Sequence, residues 1–217
     1  MKALILSLIL LISFSGCSTE EPNKNHSKGV YMLVDTSGTY TAELKKAQQI
    51  INYLLSQLQS GDSFVVASID TGSFSEKDII AKITFDDRPS KANQQKRAFQ
   101  MKVDRYIKAV KSSSYTDITG GILQATEYLN ERETGSKTIM IFSDLKQELK
   151  KGYVRDIPLS LDGYKVVALN VTKLRSDNVD PRKYMDRLTM WKQEVEKGGG
   201  VWDVINDLER LDKSIKE

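Results

Sequence analysis

Short, unbroken apolar runs punctuate the sequence, and most are followed by a stretch whose apolar residues recur at helical spacing. The first run is Val30, Tyr31, Met32, Leu33 and Val34, and it stops at Asp35. A strand with one face in water alternates apolar and polar residues. A continuous run is the pattern of a strand covered on both faces. After it, Leu44, Ala47, Ile50, Ile51, Leu54, Leu55 and Leu58 follow a helical period that ends near Gly61. Residues 64–69 and 79–85 read as a second and a third strand. Pro89 and Ser90 open a helix striped by Phe99, Val103, Tyr106, Ile107 and Val110, and Ile122, Ala125 and Leu129 mark another. Residues 138–142 and 165–171 are further buried strands. Asp180 before Pro181 reads as a helix start, a capping carboxylate followed by proline at the first helical position. That helix carries Tyr184, Leu188, Trp191 and Val195 on one face and stops at Gly198, Gly199 and Gly200. Residues 201–204 fit a short last strand, and Leu208, Leu211 and Ile215 a closing helix. This alternation predicts an α/β fold: one doubly wound, mostly parallel open sheet with helices on both faces.

The amino end departs from this pattern. Lys2 precedes an apolar run over residues 3–12, then Ser13, Phe14, Ser15 and Gly16. One positive charge, a short apolar stretch and small residues form the grammar of a secretory signal, and the run is too short to span a bilayer. Residues 1–16 are therefore read as a signal peptide. Cys17 is the sole cysteine, so an internal disulfide is impossible. The stretch Phe14-Ser15-Gly16-Cys17 resembles a bacterial lipobox, with Phe14 where leucine is usual. That resemblance implies a lipid anchor on Cys17, with residues 17–28 as lipidated cysteine and tether and 29–217 as the domain. It also implies a cell-envelope location, and Ser18 resembles the pattern sorted to the outer membrane, facing the periplasm, in a host with two membranes. The polar tether contains Pro22 and His26, the single histidine.

The formal charge of +3 comes from 32 basic and 29 acidic residues spread along the whole chain. No concentrated basic block is present, so no nucleic-acid partner is expected.

In open α/β sheets ligands bind at the carboxyl ends of the strands. After the first run come Asp35, Thr36, Ser37, Gly38 and Thr39; after the fourth, Ser143 and Asp144; ahead of the helix before it, Tyr115, Thr116 and Asp117. In an extended turn positions i, i+2 and i+4 share a side, so Asp35, Ser37 and Thr39 can converge. Carboxylate and hydroxyl oxygens suit a hard cation such as Mg2+ (or Mn2+). Asp117 stands at a helix start and is read as a cap.

These residues resemble the von Willebrand factor type A family, a Rossmann-like fold, and its metal-ion-dependent adhesion site. Asp35, Ser37 and Thr39 match the first motif, Thr116 the second and Asp144 the third, with the resemblance running from about Gly29 onward. It implies that Ser37 and Thr39 bind the metal directly and that Asp35 and Asp144 act mainly through water. Thr116 joins when a ligand is engaged. Two positions depart from the family: Leu145 follows Asp144 where glycine is frequent, and Tyr115 precedes Thr116 where glycine is common. The site is expected at a loop rim, clear of the core.

The implied function is a membrane-anchored, metal-dependent binding module, not an enzyme, engaging an acidic side chain of a protein partner. Its alternative is a structural or assembly lipoprotein of an envelope complex with a silent metal site. An enzymatic reading starts from Ile69, Asp70, Thr71, Gly72 and Ser73, which look like an aspartic-protease motif. Such enzymes pair two aspartates across two lobes, a frame the helix between Asp35 and Asp70 does not fit. A histidine-based triad is excluded because His26 lies in the tether.

Overall fold

The first apolar run becomes the central strand. The computed structural model of the chain describes residues 26–38, 40–69, 75–207 and 210–211. The expected leader, Cys17, the tether up to residue 25, Thr39, Asp70 and most of the expected closing helix lie outside the described residues. Strand β1 (Lys28–Val34) pairs in parallel with β2 (Ser63–Ser68) on one side and β4 (Ser136–Phe142) on the other. Beyond β4 lie β5 (Tyr164–Leu169) and β6 (Val201–Ile205), both parallel. At the opposite edge β3 (Ile79–Thr84) runs antiparallel to β2, giving the order β3-β2-β1-β4-β5-β6. The short β2–β3 connection explains that reversal, since a parallel return needs a dozen or more residues.

Successive side chains of β1 face opposite sides, and both sides are dry. Val30, Met32 and Val34 join a core beneath helices α1 (Leu44–Gln57) and α2 (Pro89–Ala109). Phe64 of β2 stacks there on Phe99 of α2 with ring centroids 4.9 Å apart. Tyr31 and Leu33 join a second core beneath α3 (Ile118–Glu131) and α5 (Arg182–Lys197), where Ile122, Leu129, Trp191 and Val195 are buried. Among the described residues no helix is long and apolar enough to cross a membrane.

Three details differ from the sequence reading. Helix α5 begins at Arg182, with Pro181 one position earlier as its N-cap; Asp180 Oδ1 accepts the Arg182 N–H at 3.2 Å. A one-turn helix α4 (Arg175–Val179) precedes it. Between β4 and β5 the chain returns without a helix, because residues 143–163 carry no 3.6-residue apolar period and contain Pro158. Leu161 pins that return, buried in the second core with its N–H on the Gly198 carbonyl at 2.7 Å.

Helix α3 lies close against β1 and the end of β2 at Gly121. A Cβ there would stand 2.7 Å from Ile69 Cγ2 and 3.0 Å from both Leu33 methyls. Overpacking costs about 1–3 kcal/mol, and the better helix propensity of valine over glycine returns only a few tenths. Gly121→Val should therefore lower stability by about 1–2.5 kcal/mol in urea denaturation. Wild-type stability in that variant would mean α3 slides on the sheet.

Candidate functional site

The strand order reverses between β1 and β4, which makes their carboxyl ends the switch-point crevice of an open α/β sheet. Asp35 follows β1 there, and its N–H extends the ladder by one step onto the Phe142 carbonyl at 2.9 Å. Asp144 follows β4 two residues later. Thr116 and Asp117 stand just before α3, tied to the end of β2 by the Asp117 N–H on the Ile69 carbonyl at 2.8 Å.

Backbone bonds join the three loops. The Ser113 N–H donates to the Thr36 carbonyl at 3.0 Å, and the Gly38 N–H to the Ser113 carbonyl at 3.1 Å. Thr116 and Glu148 exchange both backbone bonds at 2.9 Å, laying the segment after β4 alongside the α3 entry. Tyr40, buried edge-on against Phe142, donates its hydroxyl to the Asn170 carbonyl and so holds the end of β5 to the first loop.

At the centre is the Asp35 carboxylate, fully buried. Its Oδ2 accepts Ser143 Oγ at 2.7 Å, and its Oδ1 accepts the Ser37 N–H at 2.8 Å and, more weakly, Thr116 Oγ1 at 3.4 Å. Asp144 lies 3% exposed, its Oδ1 accepting the Lys146 N–H at 2.9 Å. Burial pushes both carboxyls above the usual carboxylate value. Hydrogen bonds from Ser143, Ser37 and Thr116 oppose that rise at Asp35. At Asp144 the Lys146 N–H opposes it, the Asp35 charge reinforces it and the Arg187 charge opposes it.

Of the expected site residues, Asp35, Ser37, Thr116 and Asp144 are thus brought together, while Thr39 is outside the described residues. The expectation of a rim location is corrected, since Asp35, Thr116 and Asp144 are all buried. Asp117 is a cap, as read: its Oδ1 accepts the Gly120 N–H at 2.8 Å. Among the described residues no three acidic, histidine or cysteine side chains gather as a metal cluster. The donors present are two carboxylates and several hydroxyls, oxygen ligands of the kind a hard divalent cation accepts. Both Asp35 oxygens already hold protein donors, which suits a carboxylate that orients ligands rather than one that binds metal itself.

The two departures from the family pattern have different outcomes. Leu145 takes the left-handed conformation, φ +65°, that glycine adopts freely. A side chain there costs about 1–2 kcal/mol, whereas full burial of a leucine returns about 1.5–3, so the leucine is tolerated. Its N–H donates to Ser143 Oγ at 3.0 Å, and its carbonyl accepts Trp191 Nε1 at 2.9 Å. Tyr115, by contrast, has ordinary backbone geometry and turns outward, 38% exposed.

Two residues of the site were not anticipated, and Ser143 was read only as part of the Ser-Asp pair after the fourth strand, without its role toward Asp35. Arg155 donates Nε and Nη2 to Asp117 Oδ2 at 2.9 and 2.7 Å, both side chains nearly dry. Arg187 of α5 grips Asp177 through Nη1 and Nη2 at 2.9 and 2.7 Å and sends Nε to the Asp144 carbonyl at 3.2 Å. Arg155–Asp117 and Arg187–Asp144 span 38 and 43 positions of sequence, so no local pattern announces them.

Arg187 holds the Asp177 carboxyl down at about 2, chiefly through those hydrogen bonds. A depressed carboxyl contributes stability that is present above the unfolded value near 3.9 and lost as pH falls through about 2. Arg187→Ala strands a buried carboxylate and should cost about 3–5 kcal/mol in chemical denaturation at pH 7. Arg187→Met combined with Asp177→Leu should recover most of that loss and flatten the acid limb of the stability profile.

No family model matches the sequence, and no curated protein matches it. Solved structures do match its fold. A von Willebrand factor type A protein from Catenulispora acidiphila aligns with TM-score 0.54 at 12% identity, over 88% of this chain and 41% of that one. The pilus adhesin SpaC of Lactobacillus rhamnosus GG, in an open conformation, gives 0.55 at 11% identity, over 88% of this chain and 29% of the adhesin. The conserved hypothetical protein BatB of Bacteroides thetaiotaomicron gives 0.50 at 15% identity, over 87% and 95%. This chain therefore spans less than half the length of the first two proteins. At such identities the likeness concerns the fold alone: the chain folds as a von Willebrand factor type A domain does.

Proposed function

We propose that the domain is a metal-dependent, adhesion-type binding module, held at a bacterial cell envelope by a lipid on Cys17. Ser37 and Thr39 would bind Mg2+ or Mn2+ directly, Asp35 and Asp144 through water, and Thr116 when a partner is engaged. The observation that carries the reading is the convergence of Asp35, Ser37, Thr116 and Asp144 at the β1/β4 crevice. Hydroxyls leave a divalent cation underneutralised, so a carboxylate of a protein partner would complete its shell. We read the arrangement as one for binding rather than turnover. That one solved neighbour of this fold is a pilus adhesin agrees with the reading.

A second reading has one observation in its favour. Both Asp35 oxygens are satisfied by protein donors, so the loops hold together without a cation. An assembly lipoprotein with a silent site would keep these residues for that purpose.

Metal titration separates the two. At a hundred times its dissociation constant a cation adds about 2.7 kcal/mol, or roughly 5–10 °C in melting temperature for a domain of this size. Asp35→Ala would leave Ser143 and the Ser37 N–H without an acceptor, so Asp35→Asn is the cleaner variant. The shift should appear with Mg2+ or Mn2+ in wild type and vanish in Asp35→Asn, whose metal-free stability stays within about 1 kcal/mol of wild type. Partner capture should fail in chelator, and Thr116→Ala should weaken the partner more than the metal. A shift that persists in Asp35→Asn combined with Asp144→Asn would sink the site assignment.

The anchor has its own test. Cys17→Ala should abolish palmitate labelling and release the protein from membrane fractions; undiminished labelling would end the lipoprotein reading.

A further inference from the structure

The loops beside the crevice carry an unbalanced charge. Residues 110–117 and 146–155 hold five basic and two acidic side chains. The two acids are already engaged: Asp117 by Arg155, and Glu148 by Lys146 at 2.5 Å. Lys111, Lys150 and Lys151 remain exposed, and none has a carboxylate partner among the described residues. Their backbones fix them near the site. Lys111 is two residues from Ser113, which is bonded to Thr36 and Gly38 of the first loop. Lys150 and Lys151 follow Glu148, the backbone partner of Thr116, in a turn closed by the Tyr153 N–H on the Lys150 carbonyl at 3.0 Å.

Apolar surface accompanies these lysines. Tyr115, adjacent to Thr116, is 38% exposed, Tyr153 44% and Val154 74%. Tyr153 also stands against the Arg155 guanidinium, 5.6 Å from the ring centroid, so its ring is backed by a charge already committed to Asp117. Exposed aromatic side chains and lysines without a carboxylate partner thus share the loops that border the crevice.

We infer that the partner is an acidic protein segment in which further Asp or Glu residues flank the carboxylate at the metal, meeting Lys111, Lys150 and Lys151, with an apolar residue against Tyr115 and Tyr153. This rests on the metal-dependent reading of the site and adds to it what the partner must look like. Lysines at an exposed rim contribute mainly to steering and to salt-dependent affinity, with each pair adding a fraction of a kcal/mol.

The test uses three labelled decapeptides and fluorescence anisotropy on the domain, in Mg2+ or in chelator. One has a single central Asp in a Ser/Leu background, one adds two flanking Glu, and one replaces the central Asp of the second by Asn. In Mg2+ the triacidic peptide should bind about tenfold tighter than the monoacidic one, and the advantage should shrink as salt rises from about 50 to 300 mM. Lys150→Glu combined with Lys151→Glu should erase that advantage while leaving the Mg2+-induced melting shift intact. Equal binding of the two Asp peptides, or an advantage that survives the charge reversal, overturns the inference and leaves the metal site standing. An advantage that persists unchanged in chelator and in the Asn peptide overturns the metal reading and supports the lysine surface alone. Capture of phosphatidylglycerol vesicles through the same lysines, with no peptide binding at millimolar concentration, overturns the inference in favour of a membrane.

Discussion

Taking a carboxylate out of water costs several kcal/mol unless donors replace the lost hydration. Asp35 is fully buried at the end of the central strand, and the loops around it are arranged to meet that demand. Ser143 comes from the end of β4, Ser37 from the turn after β1 and Thr116 from the entry to α3. Each donor belongs to a different segment, so satisfying one buried charge brings three loops to one point. The position of Asp35 is itself fixed by the β1–β4 ladder, which its own N–H prolongs. The conformation of the three loops and the donors they present answer to this single requirement.

Two outer ion pairs steady the same arrangement from behind. Arg187 links α5, α4 and the Asp144 carbonyl, and Arg155 returns from the segment after β4 to the cap of α3. Arginine suits both tasks because its planar fork satisfies several acceptors at once. Left-handed residues gather here too: Leu145 after β4 and Asn170 after β5, with φ +65° and +51°. Sparsely populated backbone persists where neighbours overdetermine it, and Trp191, Tyr40 and Ser143 supply those neighbours.

How much of this was legible in the sequence depends on the range of the interaction. The inner strands were readable because burial on both faces leaves a local mark, an unbroken apolar run; the edge strands β3 and β6 are only partly buried and interrupted by Lys82 and Asp203, and all six appear in the fold. The helix stripes were readable for the same reason. The site residues could be named because strand ends are where such sheets bind ligands, and Asp35, Ser37, Thr116 and Asp144 stand there. What escaped was set by distant partners. Arg187 acquires its meaning from Asp177 and Asp144, and Ser143 from Asp35 across 108 positions of sequence. The burial of the crevice escaped too, because short polar motifs look like surface loops until the segments that cover them are in place. The helixless return between β4 and β5 left only a negative mark, the lack of any period.

The polarity of β1 has a mechanical consequence. Its amino end, at Lys28, lies at the amino ends of the parallel strands and Asp35 at their carboxyl ends, and parallel β2 and β4 flank it along the way. A load applied between the segment ahead of Lys28 and anything gripped at the crevice runs along this strand. Its hydrogen bonds lie across that axis, so both ladders resist together in shear instead of parting one rung at a time. Forced opening is governed by the unfolding barrier rather than by equilibrium stability. A strand fastened on both edges is harder to draw out than an edge strand, and β1 is the one that runs from Lys28 to the crevice.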